Sequence, residues 1–82
     1  MKVVFKYHLK VKKIMGKESD TFEVKEGSTI KEILKENNLL EKLQEIDEQE
    51  LLIICGTENY DSLDIVVKEE SVYCFCTKLY GG

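Results

Sequence analysis

Val3, Phe5, Tyr7, Leu9 and Val11 alternate with Val4, Lys6, His8, Lys10 and Lys12. An extended chain sends successive side chains to opposite faces, so a period of two predicts a strand over these residues, one face buried and one wet. Gly16, within Met15-Gly16-Lys17-Glu18-Ser19-Asp20, signals a turn. Thr21-Phe22-Glu23-Val24 alternates again, and the pair reads as an antiparallel β-hairpin. A hairpin with one apolar face must be covered by a later part of the chain.

The period then changes. Glu26-Gly27-Ser28 breaks the strand, and Thr29 stands three residues before Glu32, the spacing of a helix capping box. Ile30, Ile33 and Leu34 form a helical stripe, with Lys31, Glu32, Lys35 and Glu36 on the other face. Asn37-Asn38 suits a helix end, because Asn tolerates the left-handed cap. Leu39, Leu40, Leu43 and Ile46 continue a helical spacing and predict a second short helix. Leu51-Leu52-Ile53-Ile54-Cys55 is an apolar run short enough for a buried strand, ended by Gly56. Asn59-Tyr60-Asp61-Ser62 reads as a turn. Leu63, Ile65, Val66 and Val67 read as a short irregular strand or a packed loop. After a turn at Glu69-Glu70, Val72-Tyr73-Cys74-Phe75-Cys76 reads as the final strand.

A helix between a hairpin and later strands packs across one sheet face. The expected fold is an α+β roll of the β-grasp (ubiquitin-like) type. It has a mixed four- to five-stranded sheet, one main helix on one face, and the last strand central beside the first. One domain is expected over residues 1–82, with a flexible C-terminal tail from about 77 to 82.

Composition removes several classes of function. The chain of 82 residues carries a formal net charge of -4, has no Arg and shows no basic stripe, which argues against nucleic-acid binding. No apolar run approaches a membrane span, and Lys2 and Lys6 interrupt the N-terminal segment too early for a signal peptide. The expected location is therefore the cytoplasm. Three cysteines, Cys55, Cys74 and Cys76, in apolar stretches read as reduced, partly buried thiols.

The sequence ends in Gly81-Gly82. Glycine lacks Cβ, so such an end is thin and can be threaded, extended, into another enzyme's channel. Two further segments bear on this end. Thr21-Phe22-Glu23-Val24-Lys25-Glu26-Gly27-Ser28-Thr29-Ile30-Lys31-Glu32-Ile33-Leu34 resembles the strand-to-helix passage of the ubiquitin-like sulfur carriers, the MoaD/ThiS family. Glu70-Ser71-Val72-Tyr73-Cys74-Phe75 resembles that family's acidic turn and final strand. The family includes the small subunit of molybdopterin synthase and the sulfur carrier of thiamine biosynthesis. Cys76-Thr77 stands where molybdopterin-type carriers often have two prolines.

The resemblance implies a carrier or co-substrate, not an enzyme acting alone. A ubiquitin-activating-type partner would adenylate the Gly82 carboxylate with Mg-ATP, and Gly81 would give unhindered access. A cysteine desulfurase or rhodanese-like protein would supply the sulfur of a C-terminal thiocarboxylate, and a synthase subunit would consume it. The chain contains no phosphate-binding loop, so no cofactor of its own is expected. A ubiquitin-like modifier joined to other proteins through Gly82, and a plain β-grasp interaction module, are the alternatives.

Tyr73 and Phe75 lie opposite Val72, Cys74 and Cys76 on a strand. The expected arrangement turns the cysteines to the helix and the two aromatics to the open sheet face, as a partner-binding patch extended by Ile53 or its neighbours Leu52 and Ile54; the alternative sets Tyr73 and Phe75 in the core and turns the cysteines out. Leu79 and Tyr80 would add apolar grip beside the diglycine. Cys55, Cys74, Cys76 and His8 lack a recognised zinc spacing, so no metal is expected and the thiols are assigned to packing. Lys6, His8, Lys10, Lys12 and Lys13 read as the solvated face of the first strand.

Overall fold

The structure, a computed structural model, describes residues 1–78. Its strands are β1 (Lys2–Tyr7), β2 (Ser19–Glu23), β3 (Leu51–Cys55), β4 (Glu58–Tyr60) and β5 (Val72–Thr77). Its helices are α1 (Leu9–Met15), α2 (Ile30–Glu36) and α3 (Leu40–Leu43), with a 3-10 turn at Glu48–Glu50. The strands form one mixed sheet in the order β2-β1-β5-β3-β4. β5 is central, parallel to β1 and antiparallel to β3, as a β-grasp roll requires.

The expected β-hairpin is only half right. β1 and β2 are antiparallel neighbours, with Val3 opposite Phe22 and Phe5 opposite Asp20. The strand stops at Tyr7, however, and α1 fills the connection. Val11 and Met15 are buried four residues apart, one helical turn, and Leu9 is turned out to solvent. Gly16 ends α1 at φ 74°, where a residue without Cβ is favoured, and its N–H donates to the Lys12 carbonyl. Lys12 and Lys13 sit in the last turn, where cations complement the helix dipole.

The capping box is present. Glu32 N–H donates to Thr29 Oγ1 at 3.1 Å, and Thr29 N–H donates to Glu32 Oε1 at 2.9 Å. These bonds hold the Glu32 carboxyl below its ordinary range, the backbone bond at Thr29 contributing most. Two more N–H groups of the first turn of α2 donate to loop carbonyls, Ile30 to Ile65 and Lys31 to Leu63. The segment read as an irregular strand or packed loop is thus a loop that closes over a helix end, with one bridge between Thr29 and Val66. At the other end Asn38 takes φ 59°, Leu39 N–H donates to the Leu34 carbonyl and Asn38 N–H to that of Lys35. That is a Schellman cap with Asn in the left-handed position.

Asn59 and Tyr60 belong to β4 rather than to a turn, because the chain already reverses at Gly56-Thr57, pairing Cys55 with Glu58. The core lies between the sheet and the helices. Val3, Phe5, Tyr7, Leu51, Ile53, Tyr73 and Phe75 meet Val11, Met15, Ile30, Ile33, Leu34 and Leu43 there. Phe5 is its hub. Its ring centroid is 4.9 Å from that of Phe75, 5.1 Å from Phe22 and 6.1 Å from Tyr73, in tilted and edge-on arrangements that suit aromatic quadrupoles. Tyr73 Oη accepts from Lys68 N–H at 2.8 Å and so ties the preceding loop to β5.

Phe5→Ala should lower unfolding free energy by about 3–5 kcal/mol, the usual cost of emptying a buried phenylalanine site. Tyr73→Phe removes one hydrogen bond and should cost about 1 kcal/mol. Urea denaturation of both variants measures the difference; equal small losses would contradict the hub role of Phe5.

Candidate functional site

β5 delivers the C-terminal segment. Its last residue, Thr77, pairs with Leu51, and the next N–H, that of Lys78, donates to the Glu50 carbonyl at 2.7 Å. The Lys78 ammonium lies 3.9 Å from Asp61 Oδ2. The tail expected from about residue 77 therefore begins with two residues fastened to the rest of the fold. Leu79, Tyr80, Gly81 and Gly82, assigned to partner contact and acyl chemistry from the sequence, lie outside the described residues.

The expected exposure of the β5 aromatics is reversed. Tyr73 is 2% exposed and Phe75 0%, both in the core, and Ile53, a proposed extension of the patch, is 0% exposed as well. The reason is the parallel register with β1, which sets Phe5 beside Tyr73 and Tyr7 beside Phe75. Residues paired across two strands share a face, and β1 already buries Phe5 and Tyr7 under the helices. Large rings also fill the volume between sheet and helices better than thiols do. Two features of the sequence carried this signal: the aromatic character of both strands and the central position expected for β5.

The open sheet face is built by the other set of residues. Val4 pairs with Val72, Lys6 with Cys74, Cys74 with Ile54, and Cys76 with Leu52. Val72 is 40% exposed, and Val4, Leu52, Ile54, Cys74 and Cys76 are half-buried. This is a shallow apolar strip across three strands, uncovered by any described helix. Leu52 and Ile54 were the alternatives to Ile53, and the register selects them.

Cys55 packs against the core side, whereas Cys74 and Cys76 lie on the open face. That split separates the thiols, and among the described residues no three His, Cys, Asp or Glu side chains are placed to hold a metal. Burial pushes the Cys76 thiol up, and the neighbouring Cys74 adds to the effect. A raised thiol is a weak nucleophile at neutral pH. Tyr7 is pushed up by burial first and then by its hydrogen bond to Asp20 Oδ2, 2.9 Å long, so it stays a protonated donor.

An open groove of ≈ 800 Å³ runs from the strip to the start of α1, lined by Lys6, His8, Leu9, Lys12, Ile54 and Cys74 among others. The basic residues expected along one strand are therefore divided: Lys6 on β1, and Lys10, Lys12 and Lys13 on α1. His8 N–H donates to the Phe75 carbonyl at 2.9 Å, which fixes the start of α1 beside β5. No described helix is long and apolar enough to cross a membrane.

Solved structures share this architecture. SAMP1 from Haloferax volcanii superposes with a TM-score of 0.74 at 12% identity, covering 100% of both chains. The fold is a β-grasp. A Pyrococcus furiosus protein described as molybdopterin converting factor subunit 1 gives a TM-score of 0.71 at 23% identity, covering 96% of this chain and 99% of its own. A second H. volcanii structure, of small archaeal modifier protein 1, gives 0.67 at 11% identity, over 90% and 93%. No protein-family model matches the sequence. No curated protein matches it either. At these identities the likeness is one of fold, and it covers 90% or more of this chain in each case.

The raised Cys76 thiol should react slowly. Its rate of alkylation by iodoacetamide should rise with pH along a profile displaced to higher pH in the native protein than in urea. Peptide mass mapping across a pH series measures this; a native profile displaced to lower pH would contradict the burial argument.

Proposed function

We propose that this β-grasp chain is a sulfur carrier whose reactive group is the carboxylate of Gly82. The observation that carries the reading is the position of β5. It is the central strand, held on both sides, and it leads through an anchored Lys78 toward Gly81-Gly82. A rigid body with its glycine end leaving a central strand suits a group that must be placed in another protein's active site.

A carboxylate is a poor acyl donor, because oxide is a poor leaving group. In the proposed sequence a Gly82 oxygen attacks the α-phosphorus of Mg-ATP in the partner's site and pyrophosphate leaves. The terminal sulfur of a partner's persulfide then attacks the acyl carbon and AMP leaves, giving an acyl disulfide. A second thiol of the partner attacks the partner-side sulfur of the S–S bond and forms a disulfide within the partner, and the electron pair of the broken bond stays on the acyl sulfur as the C-terminal thiocarboxylate. That sulfur is the nucleophile given to a synthase subunit in cofactor biosynthesis, of molybdopterin or thiamine type. Gly81, Leu79 and Tyr80 are the proposed lining contacts in the activating site. The strip of Val4, Leu52, Ile54, Val72 and Cys74 is the proposed docking face, replacing the Tyr73, Phe75 and Ile53 patch. The cytoplasm is the proposed location.

A second reading has its own support: one of the similar structures is of a protein named as a small archaeal modifier. In that reading the same adenylate passes to a lysine of a target protein and forms an isopeptide bond.

One experiment separates the readings. The protein is incubated with a ubiquitin-activating-type enzyme, Mg-ATP and a persulfide donor, and its intact mass is taken. Replacement of one oxygen by sulfur is the expected result, and deletion of Gly82 should abolish it without loss of fold. Adducts on lysines support the modifier. No adenylate and no mass change with several activating enzymes would overturn both.

A further inference from the structure

Leu9 contributes little to the fold. It is 68% exposed, the most exposed large apolar side chain among the described residues. It also takes φ 52°, in the positive region that costs an L-residue with a bulky side chain roughly 1–2 kcal/mol. A strained, exposed leucine points to a use outside the core, since such strain concentrates at functional sites.

Its surroundings are cationic. Lys2, Lys6, Lys10, Lys12, Lys13 and Lys17 all precede Glu18, the first acidic residue, in a chain whose net charge is -4. Lys10, Lys12 and Lys17 have carboxylate partners at 3.7, 3.0 and 2.9 Å, namely Glu50, Glu18 and Asp20. Lys6 and Lys13 have no ion-pair partner among the described residues. Leu9 and Lys12 stand between two open hollows, each of ≈ 800 Å³. One is floored by Ile54, Cys74 and Cys76, the other is ringed by Lys10, Lys13 and Lys17, and Glu18 lines both.

We propose that the surface around Leu9 is a docking site for an acidic protein segment carrying at least one apolar side chain. The apolar residue of that segment covers Leu9, and its carboxylates meet Lys6, Lys12 and Lys13. Charge complementarity fixes the sign of the partner. The interrupting carboxylates Glu18, Asp20 and Glu50 favour a short segment over a continuous polyanion such as nucleic acid. The same acidic remainder of the chain repels an anionic lipid surface. The inference does not use the chemistry of the diglycine, and deletion of Gly82 should leave it unchanged.

The test is an NMR titration of the 15N-labelled full chain with a synthetic peptide of Glu, Asp and Leu. A peptide with Lys for each acidic residue and one with Ser for each Leu serve as controls. Single-stranded DNA and vesicles of anionic phospholipid are titrated in parallel. Saturable shifts confined to residues 6–17, Ile54 and Cys74 are expected, weakening as salt rises because exposed charge pairs are screened. Leu9→Asn should keep the fold, since Asn tolerates positive φ, and should weaken peptide binding about tenfold, as loss of one well-covered leucine implies. Lys12→Glu with Lys13→Glu should weaken it at least as much. The proposal is overturned if no saturable binding occurs, if the Leu-free peptide binds as well, or if Leu9→Asn is silent. It is also overturned if DNA or vesicles bind more tightly than the peptide, or if the same shifts appear on concentrating the protein alone, which would make a second copy the occupant.

Discussion

The contact between Phe5 and the paired rings Tyr73 and Phe75 organises this molecule. It joins the first strand to the last across a sequence separation of about seventy residues, and such a contact forms only when the chain between has been placed. Once these rings face the helices, the register of β5 against β1 is set. A slip of one residue would turn two aromatics to water and two thiols to the core. Everything said of the open face follows: Val72, Cys74 and Cys76 must point outward, and the apolar strip must run through Val4, Leu52 and Ile54.

The same contact explains how the fold fixes the base of the C-terminal segment. β5 is bonded to a neighbour on each side, and its last bonds extend to Thr77 and Lys78. The chain reaches Gly81-Gly82 from a fixed point instead of from a frayed edge. The loop that includes Lys68 is tied to Tyr73, so the strand is held at its beginning as well. The basic, leucine-tipped start of α1 is fastened to β5 by the bond from His8 to Phe75. Two surfaces of different character, an apolar strip and a cationic patch, thus flank one strand.

Much of this was legible in the residues. Thr29 and Glu32 announced α2, Asn37-Asn38 its end, and the apolar run from Leu51 to Cys55 became β3. The sequence hides α1 because Tyr7 and Val11 satisfy periods of two and of 3.6 equally well. Only Val11 with Met15, and Gly16 one place beyond, distinguish the helix. The facing of β5 is not legible from its own alternation, because Tyr73 and Phe75 are placed by the aromatic face of β1 that they pair with. β4 was hidden because Asn59 is common in turns, and a three-residue edge strand carries little apolar signal.

Nuclear Overhauser contacts report the facing of β5 directly in the free protein. The Phe5 ring protons should show strong contacts to the rings of Phe22, Tyr73 and Phe75, while the β-protons of Cys74 meet those of Lys6 and Ile54. Contacts from the Phe5 ring to the side chains of Cys74 and Cys76, with Tyr73 and Phe75 open to a soluble paramagnetic probe, would contradict this facing.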